Sequence, residues 1–148
     1  NIRPAEPRDV PDLVRMGWDF YATTSYAKVS DFDTPSVETM VAMMLDSGVL
    51  LVAEHAGEVI GMVGLIITPF LFNHNHKSAH EVVWWIEPSA RNTGAGLALL
   101  SAVAPACKKA GAILAQMIHL SNSPAHTSLL YERMGYAHTE SSYTKVLL

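Results

Sequence analysis

Cysteine is almost missing from the chain. Cys107 stands alone among 148 residues, so no internal disulfide can form and no thiolate cluster can gather a metal. Positive charge is sparse as well. Ten Lys and Arg against fourteen Asp and Glu leave a formal charge of −4, too little cation to build the basic face that nucleic acid requires. Long apolar runs are absent too. The stretch from Val59 to Ile67 is about half a membrane span and is interrupted by Gly61 and Gly64. No signal-peptide pattern, internal repeat or low-complexity tract is visible. What remains is a chain 49% apolar and 16% charged, expected to fold as one domain over residues 1–148 around its own core. The expectation is a soluble, cytoplasmic protein with no membrane or nucleic-acid partner. Its acidic balance permits a cationic substrate such as an amine.

Read in order, Asn1 to Pro4 makes a short strand. Asp9 and Pro11 signal a helix start, and Val10, Leu13, Val14, Gly17 and Trp18 recur at helical spacing to about Tyr21. Thr23 to Pro35 reads as a loop. Ser36 opens a second helix, with Val37, Met40, Val41 and Met44 on one face and Gly48 ending it. Met40, Met43 and Met44 suit core filling or one wall of a groove. Val49–Glu54 and Glu58–Thr68 are two strands joined by a turn at His55-Ala56-Gly57, with Gly61 and Gly64 marking a bulge or a close backbone neighbour. Pro69 to Ala79 reads as a connecting loop.

The stretch EVVWWIEPSARNTGAGLALL, Glu81 to Leu100, organises the rest. Val82 to Ile86 is an apolar run suited to a buried strand, and Pro88 ends its ladder. Arg91 to Gly96 then bares the backbone just ahead of a helix that closes near Lys108, Lys109 and Gly111. Unobstructed N–H groups at a helix start, with Arg91 at the lip, form a site for phosphate oxygens. Pro105 conflicts with that helix and predicts a kink or an early end. Ala112–His119 is a further strand, Ser123-Pro124 opens a short helix through Met134, and Tyr136–His138 with Tyr143–Leu148 gives a closing hairpin. The order predicts a mixed sheet with helices on its faces and a crossover helix between parallel strands.

That order, with Trp85-Ile86-Glu87-Pro88 leading into Arg91-Asn92-Thr93-Gly94-Ala95-Gly96 and the later Leu130-Tyr131-Glu132-Arg133-Met134-Gly135-Tyr136, resembles the GNAT superfamily of acyl-CoA-dependent N-acyltransferases. Asn92 stands where many members have glycine, and asparagine tolerates the left-handed backbone better than most residues. The family's usual Asn and Ala before the tyrosine are not in register with Asn122 and Ala125. The resemblance implies an α/β (α+β) domain: a mixed, mostly antiparallel sheet of six to seven strands, about four helices, and a V-shaped split between two central parallel strands. It implies acetyl-CoA as co-substrate. Pantetheine would bond to backbone near Trp85 and Ile86, and the pyrophosphate would meet Arg91, Asn92, Thr93, Gly94, Ala95 and Gly96. It further implies direct attack by a primary amine of a small molecule or peptide, with Tyr131 protonating the departing thiolate.

Glu81 begins the central strand and shares a face with Val83 and Trp85 if no bulge intervenes. A carboxylate beside tryptophans at a cleft has a raised pKa and can take a proton from an ammonium group, although an ion pair with Lys77 or Arg91 is the alternative. His80 should point the other way, and Glu54 is a weaker candidate for the same task. His74, His76 and His80 read more simply as polar loop histidines than as ligands, so no metal is expected; lining the acceptor site is a third reading. Cys107 falls at core spacing with Leu97, Leu100 and Ala104. Asp31 and Asp33 sit where a cation could be drawn in. Acceptor choice is expected to lie in Tyr21–Pro35 and Pro69–Ala79. A homodimer through a sheet edge or the C-terminal hairpin fits the pattern. The rival to an enzyme is a silent CoA-binding or protein-interaction module of the same fold.

Overall fold

The computed structural model describes residues 1–148. Five strands lie in the order β1 (Ile2–Pro4), β2 (Val49–His55), β3 (Glu58–Phe70), β4 (Asn73–Ile86) and β5 (Ala112–Gln116). All neighbours are antiparallel except β4 and β5, which run parallel. Helices α1 (Val10–Thr23) and α2 (Thr34–Ser47) cover one face, and α3 (Ala95–Lys109) crosses the other to link β4 to β5. A short α4 (Thr127–Arg133) follows. The expected class holds, with five strands in place of six or seven.

The sheet is buried on both faces, which explains the unbroken apolar run of β2. Leu50 and Val52 join Leu13, Met16, Val41 and Met44 on the α1–α2 side. Leu51 and Ala53 join Leu99, Val103 and Cys107 on the α3 side. Gly64 lies opposite a bulge in β4: Gly64 pairs with Val83 and Leu65 with Glu81, leaving Val82 without a partner. A Cβ at Gly64 would stand 2.8 Å from Met44 Sδ, so the residue is a bulge partner as expected, with a close side chain and not a close backbone as its neighbour.

Several local expectations are corrected. Pro69–Ala79 is no loop; β3 and β4 run on as a ribbon whose Asn73–Lys77 segment is exposed. Pairing with β3 runs through Ala79, Ser78 and Lys77 and resumes at Asn73, while the His74-Asn75-His76 stretch between them has no β3 partner. Asp9 does not cap α1 with its side chain; it accepts from the Glu6 amide and from Arg3. Asp33, not Ser36, caps α2. Pro105 leaves α3 continuous because the carbonyl it orphans belongs to exposed Ser101, within reach of water. The strand expected over Ala112–His119 ends at Gln116, and the last helix starts at Thr127. No closing hairpin forms after Gly135. The bridge between its two halves, Thr139 to Ser142, has no glycine or asparagine to supply a tight turn's positive φ.

One ion-pair network locks the N-terminus to the sheet. Arg3 grips both oxygens of Asp9 at 2.8 and 3.0 Å and reaches Glu54 Oε2 at 2.8 Å. That grip holds the Asp9 carboxyl below the usual carboxylate range, through the hydrogen bonds first. We predict that Arg3→Ala destabilises the fold by roughly 2 kcal/mol in urea unfolding, because two half-enclosed carboxylates lose their counter-charge. A depressed folded-state pKa gives stability that is present above the unfolded pKa and lost as pH falls through the folded one. The gap between wild type and variant should therefore close in acid.

Candidate active site

The β4–β5 ladder stops at the pair His80–Gln116, although β4 continues to Ile86. Beyond that rung the strands part, and side chains replace backbone across the gap. Ile118 N–H donates to Glu81 Oε1 at 3.0 Å, and the Tyr131 hydroxyl donates to Ile118 O at 2.7 Å. The same hydroxyl lies 3.5 Å from Glu81 Oε1, so one phenolic proton has two acceptors. Tyr131 is buried, with its ring 5.8 Å from those of Trp84 and Tyr136.

The bulge decides where Glu81 points. Ala79 belongs to the α3-side core while Val83 belongs to the α1–α2 side, which odd-numbered residues of a regular strand could not do. Glu81 therefore does not share the face of Val83 and Trp85 as a regular strand would have it. It faces Tyr131 across the fork. Burial pushes its carboxyl up to about 7, against the downward pull of the Ile118 N–H and the Tyr131 hydroxyl. The Tyr131 phenol is raised well above its ordinary value, by burial first and by the Glu81 charge second. No ion pair joins Glu81 to Lys77 or Arg91.

At the far end of β4, Asn92 and Gly94 both adopt left-handed backbone, with φ of 66° and 89°. The Thr93 hydroxyl donates to Ala90 O and pins the turn. The first amide of α3 to find an acceptor is that of Ala98, on Gly94 O; those from Asn92 to Leu97 have none in the protein. Arg91 stacks on Trp85, its guanidinium carbon 4.6 Å from the ring centroid, and donates to Ile86 O. Glu87 N–H bonds to Ile60 O, so the antiparallel alternation keeps the Trp85 main chain in the ladder with Met62. It is the main chains of Trp84 and Ile86 that face the open side. Trp84 Nε1 and the Tyr136 hydroxyl are buried without partners.

The remaining candidates are placed elsewhere. Glu54 is held by Arg3, so it is no base. Asn122 ties its loop to Thr23 O. Cys107 is buried, its thiol pushed up to about 11 by burial. His74 and His76 are exposed on the ribbon, and His80 bonds to Ser78 and Gln116, so the three do not converge. Sequence reasoning missed Ile118, whose main chain joins base to phenol; nothing in its side chain could have announced this. It also missed the segment after Gly135, which lines the cleft with Tyr21–Asp33, whereas Pro69–Ala79 does not reach it.

An open row of amides, a fork in the sheet and a carboxylate–phenol pair lie along β4, in a chain whose family makes it an acyltransferase with acetyl-CoA as co-substrate. The chain belongs to the acetyltransferase (GNAT) family, whose model matches residues 15–136. Its fold is similar to that of a transcriptional regulator from Bacillus halodurans C-125, at 22% identity and TM-score 0.75 over 98% of this chain and 97% of that one. It is similar also to an acetyltransferase from Trypanosoma brucei, at 19% identity and TM-score 0.73 over 99% of both chains. A third likeness is to a predicted acetyltransferase with acetyl-CoA from Clostridium acetobutylicum, at 15% identity and TM-score 0.74 over 98% of this chain and 94% of that one. No curated protein matches the sequence.

The Tyr131 hydrogen bond favours the charged form of Glu81. Tyr131→Phe should therefore raise the Glu81 pKa further above 7, read as the carboxyl carbon shift in a 13C NMR titration. A fall in that pKa would mean the two groups do not interact.

Proposed function

We propose that the protein is an N-acetyltransferase acting on a primary amine by direct attack, with Glu81 as general base and Tyr131 as general acid. The observation that carries this is the Glu81–Ile118–Tyr131 constellation at the point where β4 and β5 part. The free amides of Asn92 to Gly96, with Arg91 beside them, suit the diphosphate of the donor, and the open main chains of Trp84 and Ile86 suit its amide-bearing arm. Trp85 contributes its ring under Arg91 rather than its backbone.

Glu81 takes a proton as the amine nitrogen bonds to the thioester carbonyl carbon. The Trp84 amide, on the open side of β4, supports the developing oxyanion. As the C–S bond breaks, Tyr131 gives its proton to sulfur. A phenol raised by burial and by a neighbouring charge is a poor acid at rest. Once Glu81 is protonated, however, that charge is gone, and one of the causes raising Tyr131 goes with it. The proton on Glu81 then returns to the phenolate across the short gap, closing the cycle with no covalent enzyme intermediate. Protonation of Glu81 thus makes the phenol a better acid than it is at rest, although burial still raises it.

A catalytically silent module is the other reading, and kinetics separate the two. Tyr131→Phe should lower kcat by about 100-fold, read as thiol release, while CoA affinity by calorimetry stays within about twofold. Glu81→Gln should remove the acid limb of the wild-type kcat/KM profile, which rises with pH through about 7 as the carboxylate forms. Absence of thiol release by the wild type with any amine would leave only a binding module, and unchanged rates in both variants would overturn the roles given to Glu81 and Tyr131. Outside the fork, β5 is an unpaired sheet edge with Ile113 and Leu114 exposed, and Val146, Leu147 and Leu148 are exposed at the C-terminal end. We propose that this edge joins two copies. Leu114→Lys should lower the molar mass found by light scattering from dimer to monomer.

A further inference from the structure

The cleft that opens in front of the fork has a volume of about 1670 Å³ and an unusual charge balance. Five carboxylates line it, those of Asp31, Asp33, Glu81, Glu132 and Glu140, and no lysine or arginine does. Asp33 is committed to capping α2 and Glu140 to Gln116, whereas the carboxylates of Asp31 and Glu132 have no partner. The wall between these charges is apolar, made by Phe20, Phe32, Met40, Met44 and Val83. Phe32 is fixed by Trp18 and Tyr21, with ring centroids 5.2 and 5.8 Å away. Tyr21 in turn donates to Tyr26 O and Ser30 O, so the segment carrying Asp31 is held in place before any substrate arrives.

Resting on the acyltransfer reading above, we propose that the acceptor is a primary amine with an apolar aryl or alkyl body and no anionic group. The ammonium is drawn in by carboxylates, loses one proton to solvent, and as the neutral amine gives a second to Glu81 when nitrogen bonds to the carbonyl carbon. The body lies against the aromatic and methionine wall, where adaptable thioethers and a fixed Phe32 suit a slender apolar group. A carboxylate or phosphate on the acceptor would enter a cleft with no lysine or arginine to pair it and only His119 and His138 as basic groups. Several carboxylates would repel it, so exclusion is built in as repulsion. Acetylation turns the ammonium into a neutral amide. The attraction that brought the substrate in is therefore absent for the product, which favours its release.

The test compares phenethylamine with phenylalanine and phenylalaninamide, using the full chain, acetyl-CoA and thiol release. The three share ring and amine and differ in the charge beside it. We expect kcat/KM for phenethylamine to exceed that for phenylalanine by at least about 30-fold, with phenylalaninamide recovering most of the loss and the ratio shrinking as salt rises. Asp31→Lys should narrow the ratio about fivefold, mainly by gain on phenylalanine. Calorimetric binding of phenethylammonium and of phenylalanine is measured in parallel. Equal turnover or binding of both overturns the inference and leaves acyl transfer standing. Selective binding of phenethylammonium with no turnover of any amine overturns acyl transfer and leaves the inference standing. Failure of phenethylammonium either to bind or to react overturns the inference.

Discussion

The main chain of Ile118 has to bond somewhere after β5 leaves β4, and the site grows from where it bonds. Its N–H goes to Glu81 and its carbonyl to Tyr131, so two side chains stand in for the rung that a continuing parallel ladder would have supplied. If β5 ran on beside β4, backbone would satisfy backbone. Glu81 would then have no amide to stabilise it, and Tyr131 no carbonyl to orient it. The fork is thus both an opening for a ligand and the reason that a carboxylate and a phenol tolerate burial beside each other. Burial raises both groups, and the Ile118 amide restrains Glu81 enough to keep its titration near neutrality.

A single inserted residue brings Glu81 to that place. Val82 has no partner on β3, and the slip it introduces puts Trp84 and Ile86 against the α3-side core with Ala79, while Val83 turns to the α1–α2 side. Gly64 makes room for the irregularity, since any side chain there would press on Met44. Packing, register and chemistry are therefore tied: a β4 without the bulge would present Glu81 to the face of Val83 and Trp85, away from Tyr131.

What could be read from residues alone follows from the range of the interactions involved. The turn at Arg91–Gly96 was legible because left-handed backbone at Asn92 and Gly94 is a local property with a local residue preference. The short helix that carries Tyr131 was legible from its local sequence. The orientation of Glu81 was not, because a one-residue bulge inverts every face beyond it and glycines signal only that something irregular is near. Glu54 was misread as a candidate base because its partner Arg3 is 51 residues away in the chain. The ribbon at Pro69–Ala79 was misread because polar side chains describe exposure, whereas Ala79, Ser78, Lys77 and Asn73 are paired through the β3 backbone. Local signals were sound for caps and turns, and failed wherever a distant element made the decision.

The two carboxylate environments show how one charge sign can serve opposite ends. Asp9, which is buried, and Glu54, which is part-buried, are both held by the Arg3 guanidinium, so they hold structure and are unavailable to chemistry. Glu81 is enclosed with only an amide and a phenol as partners, which lets it exchange a proton near pH 7. Arg91 could have quenched it, but stacking on Trp85 and bonding to Ile86 O keep that cation at the far end of β4, beside the unsatisfied amides of the α3 turn. The strand thus separates its charges. Free amides and Arg91 gather at one end, and a carboxylate with no lysine or arginine partner stands at the other. No lysine or arginine lines the cleft between them.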